Sequence, residues 1–516
     1  MGKQIYFGGD IITVNDKIPC VQAVLTENGV IKNIGNYKQL CMIAQDAKHI
    51  NLNGKTMMPA FIDSHSHFTS YAISLLQPSV QNCRSNQDIL QFIKDYIDKN
   101  SVEKDKWITI KDFDQSLIKD DVIISRFDLD KVSPYNPILL EHKSGHLGIF
   151  NSFAINMLGI NTNDDSESIN GVFKEDKFLK YIKKIPMPSG EEIEKAYLKA
   201  QDIYASNGIA TVQEGVILQE MVDMIKLLGD KKLLKLELIG YIDAQNKSEI
   251  VSALSDYIKK YKSNIKLIGY KAFLDGSPQA KTAWLKKAYT DGSFGYKTLQ
   301  DETLLKYILD SANDDMQMIA HCNGDASAEQ YITECEKANN MLKGKKITRP
   351  VMIHAQILEK SQLERIKKLD MILSFFISHV YYWGDEHIKN LGFERASQIS
   401  CARWALENDI KFTFHQDSPV LQPNMLETIW CAVNRCTRNG TMLGENQKIS
   451  VIDAIKAVTI NSAYQCFEQD IKGSIEVDKN ADFVILSDNP CKIAKEKIKD
   501  ISVEKLIKKG EVIYKI

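Results

Sequence analysis

The chain has 516 residues, 44% hydrophobic and 26% charged, a soluble globular composition too long for one ordinary core. Its formal net charge of −2 gives no reason to expect nucleic acid or an anionic membrane as partner. Ten cysteines occur singly, with no CxxC pair, so neither a zinc ribbon nor a disulfide framework is indicated, and reduced thiols in a cytoplasmic setting are expected.

The opening "MGKQIYFGGDIITV" lacks the apolar core of a signal peptide, and no run reaches the roughly 18 residues of a membrane helix, so no membrane association is expected. Residues 1–56 read as short strands punctuated by glycine, with "ENG" as a turn between two of them. Residues 470–516 repeat that texture in "GSIEVDKNADFVIL" and "ISVEKLIKKGEVIYKI". The two ends are therefore expected to pair into one composite β-sandwich domain. The lysine-rich "KIAKEKIKD" and "KLIKKG" read as solvated faces.

Between the ends, over 57–469, short apolar runs recur, each followed by a longer helical pattern. They fall at 57–65, 209–215, 235–243, 265–276, 316–325, 349–357, 371–379 and 410–420. Eight strands alternating with helices imply parallel βα units and a closed (β/α)8 barrel of the TIM type. The segment 80–200, with a further strand at 137–142, is expected to be an insertion forming a lid or subdomain over the barrel mouth.

In "FIDSHSHF", side-chain alternation along a strand turns His65 and His67 to one face, at the end where barrel chemistry sits. Two imidazoles on one face make half of a metal site, or simply two polar residues closing a strand. The other histidines decide between these. His321, His354, His379 and His415 each end another of the eight runs. Asp417 follows His415 by two residues, and Lys271 lies on the fourth run. Singly, each is well explained as a satisfied polar residue; together they point to a metal site.

"PAFIDSHSHF", the lysine-bearing fourth strand, the single histidines of the fifth and sixth, and "HQDSPV" on the eighth resemble the amidohydrolase superfamily. "YKAFLDGSPQAKTAWL", "HCNGDAS", "SFFISHVYYWGD" and "AVNRCTRNG" are similar to its family 3 branch, which includes N-substituted formamide deformylases. The resemblance runs from "GGDIITV" to "KGEVIYKI" and is specific for the branch, not for a substrate. It implies that His65 and His67 bind the more buried of two divalent metals, with Asp417 as a further ligand. His321 and His354 would bind the more exposed one, and Lys271 would bridge both as an N-carboxylated lysine. If Lys271 instead faces solvent or pairs with substrate, a single metal is implied. Zinc suits the ligands, and iron, manganese or nickel also fit. "HKSGHLGIFNS" nominates His146 and Asn151 for substrate contact. A homodimer is a superfamily habit.

The implied reaction is attack of a metal-activated hydroxide on an amide, N-formyl or related carbon. Asp417 takes the proton and passes it to the leaving nitrogen. His379 is expected to hydrogen-bond the substrate or tetrahedral oxyanion, or to serve structure alone. His415 is expected to orient Asp417 or to pack. Asp275 with Gly276, and Asn323 to Asp325, form loops at the same mouth and are candidates for substrate contact. Tyr381, Tyr382 and Trp383 would line an aromatic wall or fill core. Ile353 stands where many relatives carry Glu, and "IKDFDQS" lacks the usual glycines, which leaves the pocket shape open. Related cyclic-amide hydrolases, deaminases and deacetylases would share nearly the same ligands. A catalytically silent metal-binding scaffold would be expected to lack Asp417 or the histidine pair, all of which are present.

Overall fold

All eight apolar runs form strands. In the computed structural model, which describes residues 2–516 except 121, 144, 146, 163–165, 183 and 187, they lie side by side in chain order. These are β1 (Phe61–Ile62), β2 (Ile209–Ile217), β3 (Glu237–Asp243), β4 (Ile265–Phe273), β5 (Gln317–Cys322), β6 (Val351–His354), β7 (Ile372–Phe375) and β8 (Phe412–Phe414). Each pairs in parallel with the next, and nearly every residue is buried. Burial on both faces is why such strands read as continuous apolar runs rather than alternating ones. Ile239, Tyr241, Ile319, Val351, Ile353 and Ile372 share one core cluster.

The parallel sheet curls, because residues beyond its first and last strands bond to one another. Asp417 N donates to His65 O at 3.0 Å, and His67 N donates to Ser418 O at 2.8 Å. Ser64 Oγ donates to Phe414 O at 2.9 Å. The carboxyl ends of β1 and β8 are thereby held together, which gathers residues 63–67 and 415–418.

Strands from both termini pair into a second, mixed eight-stranded sheet. Phe483–Leu486 runs antiparallel to Thr56–Pro59, and Gln4–Ile12 lies between Thr56–Pro59 and Cys20–Glu27. The "ENG" turn is a tight hairpin: Asn28 and Gly29 have φ of 51° and 80°, the left-handed pair that matches strand twist. One core cluster on this sheet draws Tyr6, Val24 and Ile31 from the first residues and Phe483, Ile485 and Ile507 from the last.

The chain divides into two compact units, 69–199 and the remainder. The terminal sheet and the parallel sheet belong to the same unit, joined by buried charge. Glu237, the first residue of β3, pairs with Lys472 and with Lys509 Nζ at 2.8 Å, and Lys508 Nζ lies 3.7 Å away. The motif "KLIKKG" is thus not a solvated face throughout: Lys508 is buried, and its Nζ also donates to Lys235 O at 2.8 Å.

In the unit 69–199, the expected strand appears as Ile138–His142, within a four-stranded sheet. It pairs in parallel with Ile108–Phe113 and antiparallel with Leu147–Phe150. Helix Asn86–Asn100 begins where Ser85 accepts from Asp88 N, and it buries Ile89 and Ile93, one turn apart, in the core under that sheet. Among the described residues no helix is long and apolar enough to cross a membrane.

Candidate metal centre

His65, His67 and Asp417 converge. Their donor atoms all lie within 4.8 Å of one another. The cause is not strand alternation, since β1 ends at Ile62 and β8 at Phe414. Both segments have left their strands, and the cross-bonds between 65–67 and 417–418 fix them instead. Asp417 takes a φ of 54°, a left-handed conformation that aspartate tolerates better than most side chains.

The second cluster is contiguous with the first. His321 Nδ1 and His354 Nε2 are 3.1 Å apart, and His354 Nε2 is 4.0 Å from Asp417 Oδ2. The other carboxylate oxygen, Oδ1, is 3.5 Å from His67 Nε2 and 3.8 Å from His65 Nε2. Those separations are too long for good hydrogen bonds. Oδ1 is buried and has no hydrogen-bond partner. A buried carboxylate oxygen poised between two imidazoles, yet bonded to neither, fits a divalent cation, and the nitrogen and oxygen donors suit zinc.

Lys271, on β4, is fully buried with Nζ 3.2 Å from His65 Nε2. Burial pushes its ammonium down to about 7 against the pull of Asp417, so much of the amine is neutral near pH 7. Burial favours a protonated Asp417, but the neighbouring His67, with His415 and Lys271, outweighs it and holds the carboxyl at about 2. Burial, and then the charge of Lys271, keep His65 well below the usual imidazole range. The imidazole of His354 is likewise held down, by burial and then by His321. Neutral imidazoles and an ionised carboxylate are the forms a cation needs.

His415, Asp275, Asn323, Asp325 and Asn151 are engaged by other protein groups. His415 Nδ1 is 2.8 Å from Ser374 Oγ and its Nε2 is 3.2 Å from His354 Nδ1. Asp275 accepts from Asn323 N, Gly324 N, Ser327 Oγ and Trp284 N at 2.7–3.1 Å. Its carboxylate pins the loop after β5. Asn323 donates to Gly276 O at 2.8 Å and lies 3.1 Å from His321 Nε2. Asp325 accepts from Lys286 N at 2.9 Å at the start of helix Asp325–Met341. Asn151 is likewise engaged locally. It accepts from Ile138 N and Ala154 N, and donates to Ser133 O and Asn136 O. His146 lies outside the described residues.

His379 is not the end of β7 but the first residue of a short helix, His379–Tyr382. Its ring is 6.1 Å from that of His354, its Nδ1 is buried without a partner, and burial holds it well below its usual range. Trp383 packs on it at 5.4 Å. Tyr381 packs on Trp430, and Tyr382 donates to Glu427 under the Arg438 guanidinium.

Sequence reasoning passed over two residues. Asp63, in the same stretch as the histidine pair, is fully buried, accepts from Ser66 Oγ and Gln416 N, and is pushed by burial up to about 7. Gly215, in β2, leaves room for His65: a Cβ there would fall 2.3 Å from His65 Cε1. Gly215→Ala is therefore expected to displace the ring and weaken metal binding roughly 10- to 100-fold, the scale for disturbing a ligand's support. Competition against a chromophoric chelator measures it, and wild-type affinity would show that the neighbours yield without cost.

A parallel α/β sheet with histidines and one aspartate gathered beyond the carboxyl ends of its strands puts a candidate metal site where such folds carry their chemistry. Residues 48–514 match the model of the amidohydrolase family, and the chain belongs to that family. It is 26% identical to YtcJ of Bacillus subtilis strain 168 over 99% of both chains. It is 22% identical to the N-substituted formamide deformylase of Arthrobacter pascens, over all of this chain and 98% of that one. The fold is also that of an uncharacterized metal-dependent hydrolase from Pyrococcus furiosus, with a TM-score of 0.81 at 22% identity, covering 95% of this chain and 100% of that one.

Proposed function

We propose that the protein hydrolyses a C–N bond of a small amide, N-formyl or related compound at a divalent-metal centre. The convergence of His65, His67 and Asp417 within 4.8 Å carries this reading. These three would hold one cation, and His321 and His354 a second. Lys271, a buried amine 3.2 Å from His65, would bridge them once carboxylated. On this reading the curled parallel sheet is a closed (β/α)8 barrel and the terminal sheet a composite β-sandwich.

A bound cation polarises a carbonyl oxygen and lowers the pKa of water from about 15.7 towards 7. The chain's own residues supply the proton steps. Asp417, ionised at neutral pH, accepts the attacking water's proton at the carboxylate oxygen that the cation leaves free and returns it to the nitrogen, so that the amine departs neutral. His379, kept neutral by burial, donates to the substrate oxygen. Likeness to the Arthrobacter pascens deformylase makes N-formyl amines the first compounds to try. The ten free cysteines suit a reducing, cytoplasmic setting.

Metal analysis of the purified chain, alongside amine release from a panel of N-formyl amines, tests the proposal. At least one zinc per chain is expected, with activity lost on chelation and restored by zinc. Metal-replete protein that releases no amine from any amide or formamide would reject it.

A further inference from the structure

Phe273 is the last residue of β4 and is 42% exposed, although every other residue of that strand is buried. It lies two positions beyond Lys271, hence on the same side of the strand. Its ring centre is 5.1 Å from Lys271 Nζ and 5.7 Å from that of His321. The chain returns past it: Thr298 N donates to Leu274 O at 3.0 Å and Thr298 Oγ1 to Phe273 O at 2.7 Å. That return places Tyr296, itself exposed, nearby in the same loop.

A single exposed phenylalanine on an outer surface needs no explanation. This one borders the donor cluster. Among the described residues, four aromatics of the segment after β7 are already engaged. Phe376 is buried against His379 at 4.4 Å, Trp383 packs on His379, and Tyr381 and Tyr382 are engaged with Trp430 and Glu427. Phe273 has an exposed face beside the cluster.

We infer that Phe273 is a specificity-determining residue, packing against an apolar, aromatic-sized substituent of the substrate while the reacting bond lies among the histidines. This deepens the proposed C–N hydrolysis and rests on it for what reacts, though not for what binds. Aromatic packing of this kind adds to the transfer of apolar area out of water.

The test uses the full chain loaded with zinc and two compounds that share a reacting group, N-(2-phenylethyl)formamide and N-ethylformamide. Calorimetric binding is measured beside turnover. Wild type is expected to favour the aryl compound about 10-fold in affinity and in kcat/KM, a scale set by hydrophobic pockets. Phe273→Ala is expected to bring that ratio near unity, chiefly through the KM of the aryl compound. Phe273→Leu, which keeps an apolar side chain, is expected to retain part of it, which separates lost packing from misfolding. A wild type that binds both compounds alike, or an unchanged ratio in Phe273→Ala, overturns the inference. Preferential binding of the aryl compound without hydrolysis of either sustains the inference and excludes these two formamides as substrates, while the wider panel decides the C–N reading.

Discussion

An Asp417→Asn chain is expected to fold normally and to lose about 10³-fold in kcat, within the range that positioned acid–base groups supply. The fold should survive because the change keeps the side chain's shape. Asparagine, like aspartate, tolerates the left-handed φ of 54° found at this position. The backbone bond from residue 417 N to His65 O, which ties the ends of β1 and β8, needs no carboxylate. What disappears is the negative charge, and with it two roles. The side chain can no longer take a proton from water or hand one to a leaving nitrogen. A neutral amide is also a poorer donor to a cation, so metal content should fall unless zinc is supplied in excess. Kinetics at saturating zinc separate the effects: restored metal with kcat still depressed assigns the proton step to Asp417. A folded, metal-replete variant turning over at the wild-type rate removes that role. Because the wild-type carboxyl is held at about 2, its ionisation should leave no inflection in a profile between pH 5 and 9.

Much of this site was legible in the sequence, although partly for another reason than strand geometry. The eight apolar runs stood out because strands buried on both faces carry apolar residues at consecutive positions. The run at 57–65 nevertheless splits between two sheets: Thr56–Pro59 belongs to the terminal sheet and only Phe61–Ile62 to the parallel one. Alternation pointed to His65 and His67 as a pair, yet both lie beyond the strand, and long-range backbone bonds to 417 and 418 align them. Residue type and approximate position suffice to find metal-ligand candidates. They do not reveal which polar groups are already spent. Asp275 accepts from four donors, and the amide of Asn151 is bonded to backbone on all sides. Such partners come from segments far apart in the chain, and no local pattern announces them. Gly215 is the sharpest case, because only the approach of the His65 ring gives that missing Cβ a meaning.

Glu237→Gln is expected to destabilise the protein by about 3–5 kcal/mol at pH 7, the usual cost of breaking a buried ion pair by removing one partner. Glu237 is almost fully buried and faces three ammonium groups, from Lys472, Lys508 and Lys509. Burial alone would favour its neutral form, but those charges outweigh it and hold its carboxyl far below the usual carboxylate range. Glutamine keeps the volume and one acceptor while removing the charge. Lys472, buried in turn, would then depend on Glu468 Oε2 at 2.7 Å, a carboxylate whose Oε1 already pairs with Lys266. Lys508 would remain buried against Lys235 O with no adjacent carboxylate at Glu237. Because β3 and the carboxyl-terminal strand Val503–Lys508 meet through this cluster, the loss should loosen the terminal sheet from the parallel one. The pH dependence has a definite sign. A carboxyl whose folded pKa lies below its unfolded value contributes stability above the unfolded value, 4.5 here, and loses it as pH falls towards the folded one. Urea melts of the two proteins should therefore differ fully at pH 7 and draw together below about 4.5. The double variant Glu237→Gln with Lys472→Met should cost less than the sum of the single changes, since it removes the stranded cation along with its partner. Equal stability of Glu237→Gln and wild type at pH 7 would mean that water reaches the cluster and screens it, and that the union of the two sheets does not depend on the charge of Glu237.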